Sequence, residues 1–509
     1  MQREVMLQRL SDPGRIWDLL VIGGGATGLG IAWNAVAQGY SVAVIEQLDF
    51  AHGTSSRSTK LIHGGVRYLR QGQVGMVRSA LHEREYLLQA ARPWVWPLQL
   101  VLPSYQFGSR WYYYAGLKAY DMLAGKRNMG PARLLSTATT RSMLPSLKAE
   151  GLRGGVSFFD GQFDDARLAL QVARAVAASQ QGVVLNYASV LSIETHQASG
   201  NRVVNIQDTC SGQPMQLHSR VVVNATGVLA DKVSRLERSD LDQDRPISIA
   251  PSRGTHLVLS SKFLHGANAL MIPKTDDGRV LFAIPWLGHV LFGTTDVASD
   301  SAQREPRATD QEIDYLLDHA GRYLSSAPER TDILSIFSGL RPLMGKSSGS
   351  TARMSREHEI IVSRSGLISV IGGKWTTFRK MGRDVLELAV QVGNLEKRTY
   401  VPPVLHRAQT EAIEISGSSP SHECDNQLSP LLPIRTQDIR RAIQEEMAIK
   451  LEDILSRRTR CLLLNAAATL EIAPQVVRIV AELTGRDTNW QAAELADFQE
   501  LAKTYQVSS

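Results

Sequence analysis

The chain has 509 residues, 43% of them hydrophobic and 21% charged, with a formal net charge of +6. That length exceeds one ordinary hydrophobic core, so two or three domains are expected, and the composition suits a soluble globular protein. Cys210, Cys424 and Cys461 lie far apart with no C-x-x-C, which speaks against a disulfide frame or a zinc site, and no metal is expected. The basic isoelectric point of 9.1 is compatible with an anionic substrate, an anionic membrane or nucleic acid, and does not choose among them.

Residues 1–16 (MQREVMLQRLSDPGRI) lack the apolar core of a signal peptide, so a cytosolic protein is expected. Residues 17–46 (WDLLVIGGGATGLGIAWNAVAQGYSVAVIE) organise the rest of the chain. An apolar run at 19–22 predicts a buried parallel strand, and Gly23, Gly25 and Gly28 then spell G-x-G-x-x-G. Gly23 allows the tight turn, Gly25 lets backbone amides approach a pyrophosphate, and Gly28 lets the next helix pack closely on the sheet. The helix start offers unpaired N–H groups and a partial positive charge. A second strand at 41–45 ends in Glu46, placed to accept hydrogen bonds from ribose hydroxyls. Residues 19–45 carry no charge and could imitate a membrane span, but Asn34, Gln38, Ser41 and six glycines favour two strands flanking a helix.

Residues 51–69 (AHGTSSRSTKLIHGGVRYL) are dense in Gly, Ser, Thr and basic groups, a composition that wraps anions with N–H and hydroxyl donors. The segment Gly53-Thr54-Ser55-Ser56-Arg57-Ser58-Thr59-Lys60-Leu61-Ile62-His63-Gly64-Gly65-Val66-Arg67-Tyr68-Leu69 resembles the flavin-contacting segment of the FAD-dependent glycerol-3-phosphate dehydrogenases, which are D-amino-acid-oxidase-like flavoproteins. An amphipathic helix is predicted over 76–90. Residues 94–127 interleave Trp94, Trp96, Trp111, Tyr112, Tyr113, Tyr114 and Tyr120 with Arg110, Lys118, Lys126 and Arg127. This mixture suits either a membrane interface or a core helix with a charged outer face. It could also serve nucleic acid, but no module signature accompanies it, and no nucleic acid is expected as a partner.

A helix at 166–180, a strand at 183–185, Val190 near an adenine, and the strand and turn VVVNATG (221–227) return the chain to the dinucleotide. Alternating strands come next over 246–335 (THLVLS, ALMIPK, RVLFAIPW, HVLFGTTD), with turns at Asp276-Asp277-Gly278 and Leu287-Gly288. LISVIGGKWTT (367–377) again presents amides at a helix start. Residues 397–435 read as a linker, and 436–506 are helical by period, resembling the C-terminal domain of the same family.

The expected fold is therefore α/β: a discontinuous Rossmann-like FAD-binding domain (1–75, 150–245 and 336–396), a helical, membrane-facing insertion (76–149), an antiparallel or mixed β substrate domain (246–335), and a C-terminal helical domain (436–509) after the linker. The resemblance implies FAD contacts at Gly23, Gly25, Ala26, Thr27, Gly28, Glu46, Thr54, Ser55, Ser56, Lys60, Leu61, His63, Gly64, Gly65, Val190, Ala225, Thr226, Gly227, Gly373, Lys374, Thr376 and Thr377. No covalent attachment motif is present, so FAD should be non-covalent. A single G-x-G-x-x-G leaves no second nucleotide fold, so electrons should come directly from a small substrate. Arg67, Tyr68, Arg253, His256, Arg341, Arg356 and Lys374 are expected to converge on its phosphate, which suits arginine's planar fork. The implied reaction is oxidation of sn-glycerol 3-phosphate to dihydroxyacetone phosphate. His63 is the expected base, His256 its competitor, and Arg341 the stabiliser of alkoxide charge. A membrane quinone is the expected acceptor, from a peripheral position on the inner face of an anionic cytoplasmic membrane. An oxygen-using oxidase and a flavoprotein acting on RNA are the alternatives, and a homodimer is left open.

Overall fold

The computed structural model describes the backbone of all residues except 70–71, 197–199, 239–246, 274, 277, 300–301, 346–357, 406–426 and 508–509, and every described side chain except that of Arg67. Two large sheets, the helices packed on them and a helical tail organise the described residues.

The first sheet has a parallel centre. Strand Ile16–Ile22 pairs on one side with Val42–Ile45, which pairs with Gly182–Leu185, and on the other with Pro214–Asn224, which pairs with Ile368–Ile371. These strands come from three separate stretches of sequence, as a discontinuous nucleotide domain requires. Their apolar runs are continuous because both faces are covered, so every residue of Val42–Ile45 is buried. Helices Ala26–Ala37, Asp165–Ala178 and Phe378–Val392 contribute to this core through Leu29, Ile31, Leu168, Val172, Phe378 and Val385. The glycine loop emerges at the carboxyl ends of the parallel strands, where open α/β sheets bind ligands.

The second sheet is mostly antiparallel. Strand Ile249–Ser260 pairs with Ile333–Met344 and with His289–Gly293, and the hairpin Leu281–Trp286/His289–Gly293 turns at Leu287 and Gly288, both at positive φ. This is the turn expected from Leu-Gly between two alternating strands. The sheet also extends beyond 246–335. Val95–Pro103 pairs antiparallel with Gly155–Phe163 and parallel with Ala269–Ile272. The insertion at 76–149 is thus not wholly helical: it contributes a long strand between helices Val74–Ala90 and Ser109–Ala124. Leu98, Leu100 and Leu102 alternate into a core with Phe158 and Ile284, a period obscured in sequence by the tryptophans and prolines around it.

In the tail, helices Thr436–Glu446, Ala466–Thr484 and Thr488–Lys503 are joined through a π-helical turn, Asp453–Arg458. The long helix suggested by residues 438–458 is interrupted. Met447 adopts φ 56°, and Asp453 then caps the amides of Ile449 and Lys450 at 2.8 and 2.9 Å.

Candidate active site

Three chain crossings build the nucleotide cradle. Gly23 leaves its strand at φ 110°, and a Cβ there would lie 2.6 Å from the Ala225 carbonyl oxygen. Only glycine lets turn 23–25 touch turn 225–227, where Thr226 Oγ1 donates to Asn224 and Gly227 takes φ 59°. A Cβ on Gly28 would sit 1.9 Å from the Gly23 carbonyl oxygen, so the helix start is drawn tightly onto the strand end. Gly25 is the N-cap of helix Ala26–Ala37, and no side chain caps it. The Ala26 N–H donates to Ser55 Oγ at 2.9 Å. The first-turn amides, Thr27 included, lie at the positive end of the helix dipole, a donor set that fits a pyrophosphate. Glu46 ends the second strand as expected. Its carboxylate accepts from the N–H groups of Gly24 at 2.7 Å and Leu48 at 2.9 Å, and burial pushes its pKa up.

The loop after the second strand passes from the first sheet to the second. Thr54 Oγ1 donates to the Leu340 carbonyl on strand Ile333–Met344, and a Cβ on Gly339 would meet the Arg57 carbonyl at 2.9 Å. Thr59 Oγ1 bonds His256 Nε2 at 2.9 Å. From below, Trp375 Nε1 donates to the Ser55 carbonyl at 2.8 Å and Thr376 Oγ1 to the His63 carbonyl at 3.2 Å. Gly372 and Gly373 sit at φ 80° and 83°, which turns the chain into this contact. Lys374 Nζ lies 3.8 Å from the centre of the Tyr68 ring, and Gly64 and Gly65 complete the loop between them. Segments far apart in sequence therefore meet around residues 54–65.

Arg341 and His256 share one face of the second sheet. Arg341 opposes Ser252 and His256 opposes Phe337 in the antiparallel register, so both side chains point the same way. The Arg341 guanidinium crosses over Gly254, where a Cβ would lie 2.4 Å from its Nη2. It reaches Asp296 Oδ1 at 3.2 Å and the Thr295 carbonyl at 3.3 Å, and remains 29% exposed. His256 is buried and stacked on Phe337 at 4.9 Å, and its Nδ1 has no hydrogen-bond partner. Burial first, then the charges of Lys60 and Arg341, hold its pKa well below the usual imidazole range.

A family model described as FAD dependent oxidoreductase matches residues 18–379, and one described as the C-terminal domain of alpha-glycerophosphate oxidase matches residues 402–494. A mitochondrial glycerol-3-phosphate dehydrogenase of Arabidopsis thaliana is 34% identical over 558 residues, covering 98% of this chain and 87% of the relative. The human mitochondrial protein of that name is 34% identical over 554 residues, covering 99% of this chain and 75% of the relative. The chain belongs to the FAD-dependent glycerol-3-phosphate dehydrogenase family. Among solved structures, the glycerol-3-phosphate dehydrogenase of Bacillus halodurans complexed with FAD superimposes with a TM-score of 0.74 at 26% identity, over 99% of both chains. An L-alpha-glycerophosphate oxidase of Mycoplasma pneumoniae shares the fold, with a TM-score of 0.59 at 18% identity.

FAD is thus the cofactor of this glycerol-3-phosphate dehydrogenase, and the glycine cradle fits it. Two expected site residues stand elsewhere. Arg253 faces away from Arg341, because neighbouring strand residues point to opposite faces, and its guanidinium pairs with Glu312 at 2.7 Å. There it supports the capping box of helix Asp310–Tyr323, on the face of the sheet opposite to Arg341. The Lys60 ammonium is fully buried against Asp165 at 2.6 Å and the Ser56 carbonyl at 2.7 Å. It ties the Ser56 carbonyl to Asp165 beneath the loop. Burial, with the adjacent Arg460 charge, pulls its pKa down, while Asp165 holds it up. Arg356 lies outside the described residues, as does the side chain of Arg67. Val190 is half-buried on strand Ala188–Thr195 opposite Ile206, and Leu61 is buried opposite Gln162. Sequence reasoning missed Asp165 and Asp296, and placed Thr59 in the flavin-contacting segment without a role of its own. Their only signal was position, Asp165 beginning a helix after an apolar strand and Asp296 coming after the Gly-Thr-Thr of the hairpin.

Proposed function

We propose that this enzyme oxidises sn-glycerol 3-phosphate at C2 to dihydroxyacetone phosphate and delivers the electrons to a membrane quinone. The carrying observation is the meeting of loop 54–65 with the Arg341 face of the second sheet, in a chain of this family. When bound non-covalently, FAD supplies the hydride acceptor. The residues of the chain must then orient C2, neutralise the phosphate and take the hydroxyl proton. The Arg341 guanidinium lies beside Asp296 and remains partly exposed, which suits phosphate or developing alkoxide charge. Lys374 and Tyr68 form a second cationic point beside the loop. His63 is half-buried next to Gly64 and Gly65, and its backbone is fixed by Thr376, which supports its role as the base. His256 suits the role less, since its Nε2 is engaged by Thr59 and its surroundings disfavour the imidazolium.

The quinone reading draws on helix Ser109–Ala124. Trp111 and Tyr112 are exposed on it, Phe107 before it is 92% exposed, and Met122 near its end is 82% exposed, with Lys118 on the same helix. No helix among the described residues is long and apolar enough to cross a membrane, so attachment would be peripheral, at the inner face of an anionic cytoplasmic membrane.

Anaerobic mixing with sn-glycerol 3-phosphate should bleach the flavin absorbance, and His63→Ala should slow bleaching about 100- to 10,000-fold with FAD retained. A flavin that stays oxidised in the parent protein would remove the substrate assignment. A reduced enzyme reoxidised by oxygen as fast as by a quinone would remove the acceptor.

A further inference from the structure

The C-terminal domain meets the nucleotide domain through a buried arginine run, Arg457, Arg458 and Arg460, which neither the substrate nor the phosphate cradle uses. Asp49, three residues beyond Glu46 and fully buried, begins the flavin loop. Arg457 Nε reaches Asp49 at 2.5 Å, and Arg458 bonds both of its oxygens, Nη2 to Oδ1 at 2.9 Å. Burial raises the Asp49 carboxyl, but the charges of Arg458 and Arg457 outweigh this and hold it below the usual range. Further along the same loop, Arg460 Nη2 donates to the Ser56 carbonyl at 2.9 Å and to Asp165 Oδ1 at 2.8 Å. Arg460 itself adopts φ 66°, so the backbone turns sharply to deliver the guanidinium there. Between these two fastenings lie Gly53, Thr54 and Ser55, and Ser55 Oγ is the group that meets the first amide of the glycine-loop helix. His52, in the same stretch, faces Glu452 of the tail at 3.0 Å and Glu305 of the second sheet's long connection at 3.4 Å. Those carboxylates are already matched by Arg457 and Arg57 at 2.6 and 2.8 Å, which makes the grouping a latch of ion pairs and not a metal site.

We infer that the C-terminal domain sets the shape of the flavin loop, with Arg460 as a positioning residue for FAD that acts through the Ser56 carbonyl. The inference rests on the assignment of residues 54–56 to FAD and is independent of which substrate is oxidised. A loop fastened at both ends presents its hydroxyls and amides already placed, so FAD binding does not have to order it. An arginine serves better than a lysine because, while Nη2 bonds both the Ser56 carbonyl and Asp165, Nη1 donates to the Ser456 carbonyl at 3.2 Å and so orients the guanidinium.

Arg167 provides the comparison. It bonds Glu446 bidentately at 2.8 Å across the same domain boundary and is likewise buried, and these bonds do not reach the loop. FAD dissociation constants measured by fluorescence on reconstituted apoprotein, with melting temperatures, should be taken for Arg460→Met and Arg167→Met. Both variants should melt lower, and Arg460→Met alone should bind FAD more weakly, by roughly ten- to hundredfold, the size of a hydrogen bond to a charged group. An unchanged FAD affinity in Arg460→Met, or an equal loss in Arg167→Met, would overturn the inference. Should Arg460→Met not fold, Arg460→Lys keeps the charge and loses the Nη1 anchor on Ser456. A Lys variant binding FAD as tightly as the parent would equally overturn it. Because the readout is cofactor affinity, an error in the assigned substrate would leave these outcomes untouched.

Discussion

Arg341 shows how strand alternation decides which cations can reach a substrate. Ser252, Gly254 and His256 point to its face, whereas Arg253 and Thr255 point to Glu312 on the other. Replacing Arg341 with lysine keeps the charge and loses the fork. If the guanidinium meets charge on the C2 oxygen, flavin reduction at saturating substrate should slow roughly 100- to 1000-fold, whereas a pure phosphate anchor would mainly raise KM. Stopped-flow reduction separates the two. Gly254→Ala tests the placement without touching the arginine. The new Cβ would lie 2.4 Å from Arg341 Nη2 and 2.7 Å from Thr294 Oγ1, both movable side-chain atoms, so the arginine shifts while the strand stays. Near-parental melting with intact FAD and about 100-fold slower reduction is expected; full activity would show that the guanidinium need not cross Gly254. At this scale the sequence displayed the residue types but not their directions. Arg253-Gly254-Thr255-His256 reads as one motif, yet a period of two splits it between substrate face and helix cap.

The glycine loop was fully legible as an element, because each of its glycines answers a local steric demand that its neighbours in sequence announce. The strand Val95–Pro103 was not, since its pairing with Gly155–Phe163 is non-local and its aromatic flanks resemble an amphipathic surface. The same stretch splits again in three dimensions. Trp94 and Tyr120 are buried in the core, while Phe107, Trp111, Tyr112 and Met122 remain exposed along helix Ser109–Ala124 and its approach. Flotation with anionic vesicles should therefore be lost when Phe107 and Trp111 are changed to Asp, with the melting temperature unaltered. Each basic residue near the surface adds about 1 kcal/mol, so Lys118→Glu by itself should weaken flotation and lower its sensitivity to salt. Binding that survives all three changes would move the membrane contact to another face.

Across the whole molecule, the domain boundary is charged where most cores are apolar, and this makes it sensitive to acid. Burial raises the Glu446 carboxyl, but the Arg167 charge and hydrogen bonds, with Arg441 and Arg458, bring its pKa down to about 2. A depressed carboxyl of this kind contributes its stability above the unfolded value of about 4.5 and loses it as pH falls towards about 2. Glu446→Gln should cost roughly 3–5 kcal/mol at pH 7, because it strands a buried arginine. In urea melts the parent and variant should converge as pH drops below 4.5, and a difference constant with pH would contradict the pairing. None of this boundary was visible in sequence, where the arginine run read only as part of a helix. Arg460 stands 404 residues beyond Ser56, whose carbonyl it holds. At a synthesis rate of about 5–20 residues per second, the ribosome takes roughly 20–80 s to travel from one to the other. The flavin loop is therefore made some 404 residues before the arginine that fastens it. In a living cell the nascent chain must carry an unfastened flavin loop through that interval, and tight capture of the cofactor waits for its end.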